Sequence, residues 1–247
     1  MKKVHPITRR KAIITGLASL SGLLLPGCAK KLPPTYGNIL RMGDALTYVA
    51  HRTLLPGQSL AKEYKMGDIS SFPATGTTNP ADPAGPYYSD VYRRLDRSSF
   101  SDWRLTIEGR VAKPGLYSLA DLQKFPSRTQ ITRHICEEGW SAIAEWTGVP
   151  LGVVLNSVGI LPSARFINFY AYDKYMESID MLDAFHPQTI LAYGMNGRNL
   201  PIPHGAPVRL RVETQVGYKS VKFLQRIVVT DEFVDVGDTG WSWYVGI

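Results

Sequence analysis

Thr132-Arg133-His134-Ile135-Cys136-Glu137-Glu138-Gly139-Trp140-Ser141-Ala142-Ile143-Ala144-Glu145-Trp146-Thr147-Gly148-Val149-Pro150-Leu151 is the stretch on which the reading of this chain turns. It opens as a strand over 130–135, stops at a cysteine and passes into an acidic, aromatic loop. The chain has two cysteines, and Cys28 lies in the N-terminal leader, so Cys136 is alone in the folded part. A lone cysteine cannot staple a domain; it is either inert core or chemistry. The Arg133-His134 pair before it and the Glu137-Glu138 pair after it favour chemistry.

Working outward, Trp103-Arg104-Leu105-Thr106-Ile107-Glu108-Gly109 alternates as a half-buried strand does, and Lys113-Pro114-Gly115 turns the chain. Ser118 caps a short helix over 119–125, with Asp121 in the capping-box position. A second helix is expected over 150–158, with proline at its start and Gly159 at its end. Strands follow over 164–172, 175–179 and 189–195. Asn196-Gly197 is the strongest hairpin turn in the chain. The segments 208–212 and 222–230 alternate again. Many short strands with few short helices predict an α+β, mostly β, single domain. On the N-terminal side, 29–85 reads as an extension wrapped on the domain surface. It holds a Pro-rich spacer at 30–36, a helix at 44–55 carrying Leu46, Val49, Ala50 and Leu54, and a Ser/Thr/Gly/Pro loop over 68–86.

The first 28 residues read as an export leader. Lys2, Lys3, Arg9, Arg10 and Lys11 precede an uncharged apolar run over 12–25, shorter than the roughly 20 residues a spanning helix needs. Thr8-Arg9-Arg10-Lys11-Ala12-Ile13-Ile14 resembles a twin-arginine (Tat) signal; an ordinary secretory signal is the alternative. Leu25-Pro26-Gly27-Cys28 resembles a lipobox with a lipid anchor on Cys28, beside cleavage elsewhere or an uncleaved anchor. Five of the 28 Lys and Arg lie in residues 1–27 and none of the 21 Asp and Glu, so the formal charge of +7 falls to +2 without them. No basic stripe survives, which argues against nucleic acid as a partner.

Cys136, Glu138 and Trp140-Ser141, followed by Gly148-Val149-Pro150-Leu151, form one diagnostic segment. Asn196-Gly197, Leu200-Pro201, His204-Gly205-Ala206-Pro207-Val208-Arg209-Leu210 and Gly217-Tyr218-Lys219-Ser220-Val221-Lys222 form a second. In content, order and separation the two resemble the sulfite oxidase-fold molybdopterin-dependent oxidoreductases. The pattern is nearest to the catalytic subunits of bacterial periplasmic methionine sulfoxide reductases. The likeness covers about 100–235 and implies one catalytic domain over 86–247 without the dimerisation domain of other members.

The resemblance implies a molybdenum ion with a pyranopterin dithiolene, bound through Cys136 as metal ligand, a role that suits a soft thiolate. It implies that His204, Arg209, Lys219, Ser220, Val221 and Lys222 contact the cofactor, whose phosphate and polar head need cations and backbone donors. Glu138 or Glu137 would manage protons beside the metal. The loop 75–79 stands where the family has a pterin-cradling loop, without matching it residue for residue. Ala171 stands near a family threonine that contacts the cofactor, a departure in detail. Trp140, Trp146 and the Tyr170/Tyr172/Tyr175 group could shape a substrate funnel but read as core, and Trp241 to Tyr244 read as surface packing.

The implied activity is oxygen-atom transfer, with reduction of a neutral S-oxide or N-oxide, such as protein methionine sulfoxide, as the main reading. Sulfite and nitrate enzymes of this fold place arginines just after the ligand cysteine, whereas Glu137 and Glu138 there repel small anions. The chain has no haem, iron–sulfur or dinucleotide motif, so electrons come from a haem-containing membrane protein or cytochrome. Three alternatives stand beside this. They are sulfite oxidase-like oxidation, a metal-free Cys136 thiol enzyme with His134 as base, and a lipid-anchored binding module without turnover.

Overall fold

A computed structural model describes residues 59–232, together with positions 46, 49, 50, 53 and 54. Those five positions are helical, as expected for 44–55, and Leu46, Val49 and Leu54 are exposed. The stretch expected to be an export leader, Cys28 and the 241–244 aromatic run lie outside the described residues.

The elements in chain order are helix α1 (Asp90–Arg97), strands β1 (Leu105–Gly109) and β2 (Gly115–Tyr117), helix α2 (Leu119–Gln123), strands β3 (Arg128–Ile135) and β4 (Ser141–Pro150), and helix α3 (Leu151–Val158). Then come β5 (Phe166–Ala171), β6 (Met176–Asp180), helix α4 (Met181–Ala184), β7 (Ile190–Met195), β8 (Arg198–Asn199), β9 (Arg209–Arg211) and β10 (Leu224–Thr230). They form two sheets. One has the order β2-β1-β10-β5-β6, and the other β3-β4-β7-β8 with β9 also paired to β7. Among the described strands only β1 and β10 pair in parallel, Thr106 opposite Arg226. Parallel neighbours need a crossover connection; here that connection runs through the second sheet and the outer strands of the first, and the last described strand closes the first sheet at its centre.

Local chemistry sets the short helices. Ser118 Oγ accepts from Asp121 N at 3.1 Å, and the Asp121 carboxylate accepts from Ser118 N at 3.1 Å, the reciprocal cap expected there. Pro150 stands at the N-cap of α3, and Gly159 ends it at φ +71°. Leu151, Val154, Leu155 and Val158 of α3 are all fully buried, with Leu105, Ile107, Phe169 and Ile227 in the same core. Truncating one such leucine to alanine costs about 2–5 kcal/mol.

Two elements were not expected. Helix α1 is mostly charged and buries only Tyr92 and Leu95, one turn apart, with Ser89 Oγ capping Tyr92 N. The acidic loop is shorter than it reads, because Ser141 already belongs to β4, a strand with both faces largely buried. At Gly148 the β4 backbone lies so close to β7 that a Cβ would stand 2.2 Å from Leu191 O.

The segment 59–72 does more than cover a surface. Glu63 bridges Thr132, and Tyr64 N donates to Ile131 O at 2.8 Å on the outer edge of β3. Ser70 N then donates to Ile143 O at 3.0 Å, and Ile143 N to Ser70 Oγ at 2.9 Å, on β4. The chain thus straps the β3–β4 hairpin, whose tip is Cys136 to Trp140.

Candidate active site

The hairpin tip is tight. Cys136 N donates to Trp140 O at 2.9 Å and Gly139 N to Cys136 O at 3.1 Å, with Gly139 at φ +89°. Cys136 is buried, and its Sγ lies 3.6 Å from Glu137 Oε2, while Glu138 is exposed and accepts from Trp140 Nε1 at 3.0 Å. The thiol opens on a cavity of about 540 Å³, within the range of small-molecule and cofactor sites. The cavity is walled by the strap 72–77, the hairpin tip, the β5–β6 turn at Asp173 to Tyr175, and the loops carrying His204, Arg209 and Ser220 to Lys222.

Of the residues expected from sequence, Cys136, Glu138, His204, Arg209, Ser220, Val221 and Lys222 all line this one cavity. Lys219 does not. Its side chain is 1% exposed and its Nζ donates to Glu177 Oε1 and Ser178 O, each at 2.9 Å, behind the wall. Lys219 was expected among the cofactor contacts with Ser220, Val221 and Lys222; its ammonium is committed to a buried carboxylate and pins the turn before Ser220, so its side chain does not face the cavity. Ala171 lies in the core, as does Trp146; Tyr175 packs against the core and also lines the cavity, and Trp140 lines the cavity.

Arg209 is the cation that decides what the cavity suits. It is almost fully buried and its guanidinium donates to His204 O at 3.0 Å and Ser220 O at 2.8 Å. Among the described residues no carboxylate lies within ion-pair range of it. Burial, with Arg211 nearby, disfavours its charge, Glu213 favours it from beyond contact distance, and a guanidinium stays protonated in proteins. Burial also pulls Lys222 down to about 8, with Arg209 contributing, although Asp173 pulls the other way. An uncompensated buried cation is costly unless an anion joins it.

The hairpin side has the opposite character. Burial pushes the Cys136 thiol up, and Glu137 and Glu138 add to that. His134 faces inward, and its Nδ1 lies 2.7 Å from an Arg211 amine; because a guanidinium only donates, Nδ1 accepts and the ring is neutral. Burial drives its pKa down to about 2, helped by Arg211, Arg209 and Lys222. With Nδ1 accepting from Arg211, the proton of the neutral ring sits on Nε2, so His134 offers the thiol no free acceptor, which disfavours the metal-free thiol reading. Gly217 is required opposite it, since a Cβ there would stand 2.6 Å from His134 Nε2. Arg211 is in turn bidentate to Glu213 at 3.0 and 2.8 Å, and Arg209 and Arg211 flank the Trp146 ring at 5.1 and 4.5 Å.

Among the described residues no group of three His, Cys, Asp or Glu side chains could hold a metal. Any metal at Cys136 must bring further donors with it. A lone soft thiolate at one wall, an unpaired buried guanidinium at another and room for a bicyclic ligand between them fit a metal carried on an anionic organic dithiolene. Comparison with known proteins decides the matter: residues 92–235 match the oxidoreductase molybdopterin binding domain. The chain belongs to that family. It is 35% identical over 99% of its length to the candidate protein-methionine-sulfoxide reductase subunit YedZ1 of Azospira oryzae, spanning 90% of that chain. It is 30% identical to the catalytic subunit MsrP of Pseudomonas syringae pv. tomato, over 92% of this chain and 72% of that one. The crystal structure of the sulfane dehydrogenase SoxCD from Paracoccus pantotrophus superposes at TM-score 0.51 and 28% identity, over 53% of this chain and 39% of that one. The protein is thus a molybdopterin-binding oxidoreductase of the sulfite oxidase fold, and its cofactor is molybdenum-molybdopterin.

Sequence reasoning missed Phe72, Asp173, Arg211 and Glu213. Phe72 sits among Ser, Thr, Gly and Pro with no periodicity to mark it. Its ring centroid lies 5.2 Å from that of His134, 5.4 Å from Trp146 and His204, and 5.8 Å from Trp140. The Val208-Arg209-Leu210-Arg211-Val212 run carried the one available signal for Arg211: two arginines at alternate positions of a strand share one face, and here that face is inward.

Proposed function

We propose that this chain is the cofactor-bearing catalytic subunit of an exported reductase of uncharged S-oxides, with methionine sulfoxide in proteins as the main substrate. The observation that carries the reading is the division of charge in the cavity. The cations come from the His204–Lys222 stretch, and the side chains beside the metal-binding thiol are two carboxylates and an indole. Such a mouth disfavours sulfite and nitrate and admits a neutral S-oxide. The names of the relatives above, with which the chain shares nearly its whole length, support the same substrate.

The reaction balances when one sulfoxide takes up two protons and two electrons and yields one thioether and one water. The molybdenum centre, when bound, supplies the oxygen-accepting and two-electron chemistry. Cys136 anchors the metal, and its loop is held shut by the backbone bonds between Cys136, Gly139 and Trp140. Arg209, Lys222, His204, Ser220 and Val221 hold the anionic and polar parts of the cofactor. Glu138, open to solvent and oriented by Trp140 Nε1, carries protons toward the departing oxygen. A haem-containing membrane protein or a cytochrome delivers the electrons.

Reduced-viologen assays of the molybdenum-loaded protein should show methionine sulfoxide reduction well above any turnover with nitrate, and slow sulfite oxidation in the reverse direction. Fast sulfite oxidation without sulfoxide reduction would reverse the assignment. The leader residues motivate a second part of the reading, Tat export with a lipid anchor on Cys28. Replacing Arg9 and Arg10 by lysine should hold the loaded enzyme in the cytoplasm, and Cys28→Ala should release it from the membrane fraction; export unchanged by the first variant would contradict the route.

A further inference from the structure

Phe72 belongs to the strap, outside the residues that match the family domain, yet it packs at the centre of the aromatic group beside the thiol. The strap is latched in place. Lys222 Nζ donates to Thr75 O at 2.8 Å and also to Thr77 O, and the Thr77 hydroxyl hydrogen-bonds Asp173. Phe72 meets Trp140 edge-on at 84°, and both rings line the cavity that Cys136 opens on. The cavity that holds the metal-binding sulfur thus has an aromatic wall beside the carboxylates of Glu137 and Glu138, and its two rings come from separate segments.

We infer that Phe72, with Trp140, is the specificity-determining wall that seats the S-alkyl group of the substrate. Its ligand class is a methyl or alkyl sulfoxide whose sulfur and methyl group lie against aromatic rings. This rests on the S-oxide reading above. Thioether and methyl groups gain from ring edges and faces, whereas an anionic tetrahedral or planar oxyanion gains nothing from them and is repelled by the adjacent carboxylates. An alkyl wall gains most when the oxygen leaves and a fully apolar thioether remains, so the same rings favour the reduction product over water in the site. The selecting residue rides on the strap, outside the stretch that matches the family domain, while the family domain supplies the chemistry.

The test uses the molybdenum-loaded protein and free methionine sulfoxide. Phe72→Ala should raise KM about tenfold, the scale of one lost ring contact plus apolar burial, and leave kcat within about twofold. Molybdenum content per chain, read by elemental analysis, should stay at the wild-type level. Phe72→Tyr, which keeps the ring, should restore KM to within about twofold. If Phe72→Ala does not fold, Phe72→Leu takes its place, keeping apolar bulk without the ring, and should show the same direction of change. An unaltered KM in the ring-less variant that folds overturns the inference, as does a fall in molybdenum content that accounts for lost activity. Wild-type enzyme with full molybdenum and no sulfoxide turnover would instead sink the S-oxide reading itself.

Discussion

Arg209 shows most plainly how one residue's surroundings define a ligand. A guanidinium buried among carbonyl oxygens with no carboxylate partner among the described residues waits for an anion, and its fork geometry is met by His204 O and Ser220 O together. Lysine would keep the charge and lose the fork. Arg209→Lys should therefore lower cofactor retention at least about tenfold, the cost of one lost charge-assisted hydrogen bond, read as molybdenum per chain after dialysis. Retention equal to wild type would show that the fork does not matter. Gly217 poses the converse case, with no room for even a methyl group. Gly217→Ala should cost about 1–3 kcal/mol by forced displacement of His134, measured by urea unfolding. At this scale the cysteine, the arginine and the histidine of the site were legible because their motif spacing is specific. Phe72 and Asp173 were not, because their importance arises from segments that meet only in the fold.

Lys219 belongs to the scale of elements. It and Glu177 form a buried pair between the turn at Gly217–Lys219 and β6, and Ser178 O takes a further bond. Tyr175 OH donates to Tyr218 O at 2.9 Å across the same junction. Removing only the ammonium leaves a buried carboxylate uncompensated, so Lys219→Met should destabilise by about 3–5 kcal/mol. The double variant Lys219→Met with Glu177→Leu should recover much of that and also recover cofactor binding. A direct phosphate ligand would predict the opposite: binding lost in both variants, whatever the stability. The elements themselves were read from sequence where periodicity, caps and turns agreed, as for α2 with its Ser118–Asp121 box, α3 between Pro150 and Gly159, and the β7–β8 turn at Asn196-Gly197. Strand β4 escaped because burial on both faces erases alternation, and α1 because two inward residues in a charged octet make no visible stripe. The parallel pairing of β1 with β10 is a long-range choice that no local pattern records.

At the scale of the whole molecule, buried neutral imidazoles should make the cofactor-free protein sensitive to mild acid. His134 is held down to about 2 and half-buried His204 to about 4, both by burial first and neighbouring cations second. Both values lie under the unfolded value near 6.5. The unfolded chain therefore takes up protons that the folded chain refuses as pH falls below about 6.5, and stability falls with it. The stabilisation is full above that pH and is lost on the way down toward the folded values, at up to about 1.4 kcal/mol per pH unit for His134; the half-exposed His204 follows the same slope over a narrower range, reduced by solvent screening. Asp173 and Glu177, raised by burial, work in the opposite direction at lower pH. Urea unfolding between pH 7.5 and 5.5 should show this slope, and His134→Gln should remove about half of it, His204 supplying the rest; a flat profile would contradict the burial of a neutral ring. The whole account depends on a metal bound to one sulfur of this chain. Molybdenum content and X-ray absorption at the molybdenum edge, compared between exported wild type and Cys136→Ala, test that directly. Near-stoichiometric molybdenum with a sulfur neighbour that disappears in the variant is the expected result; wild-type protein without molybdenum, or a sulfur shell unchanged by the substitution, would contradict it.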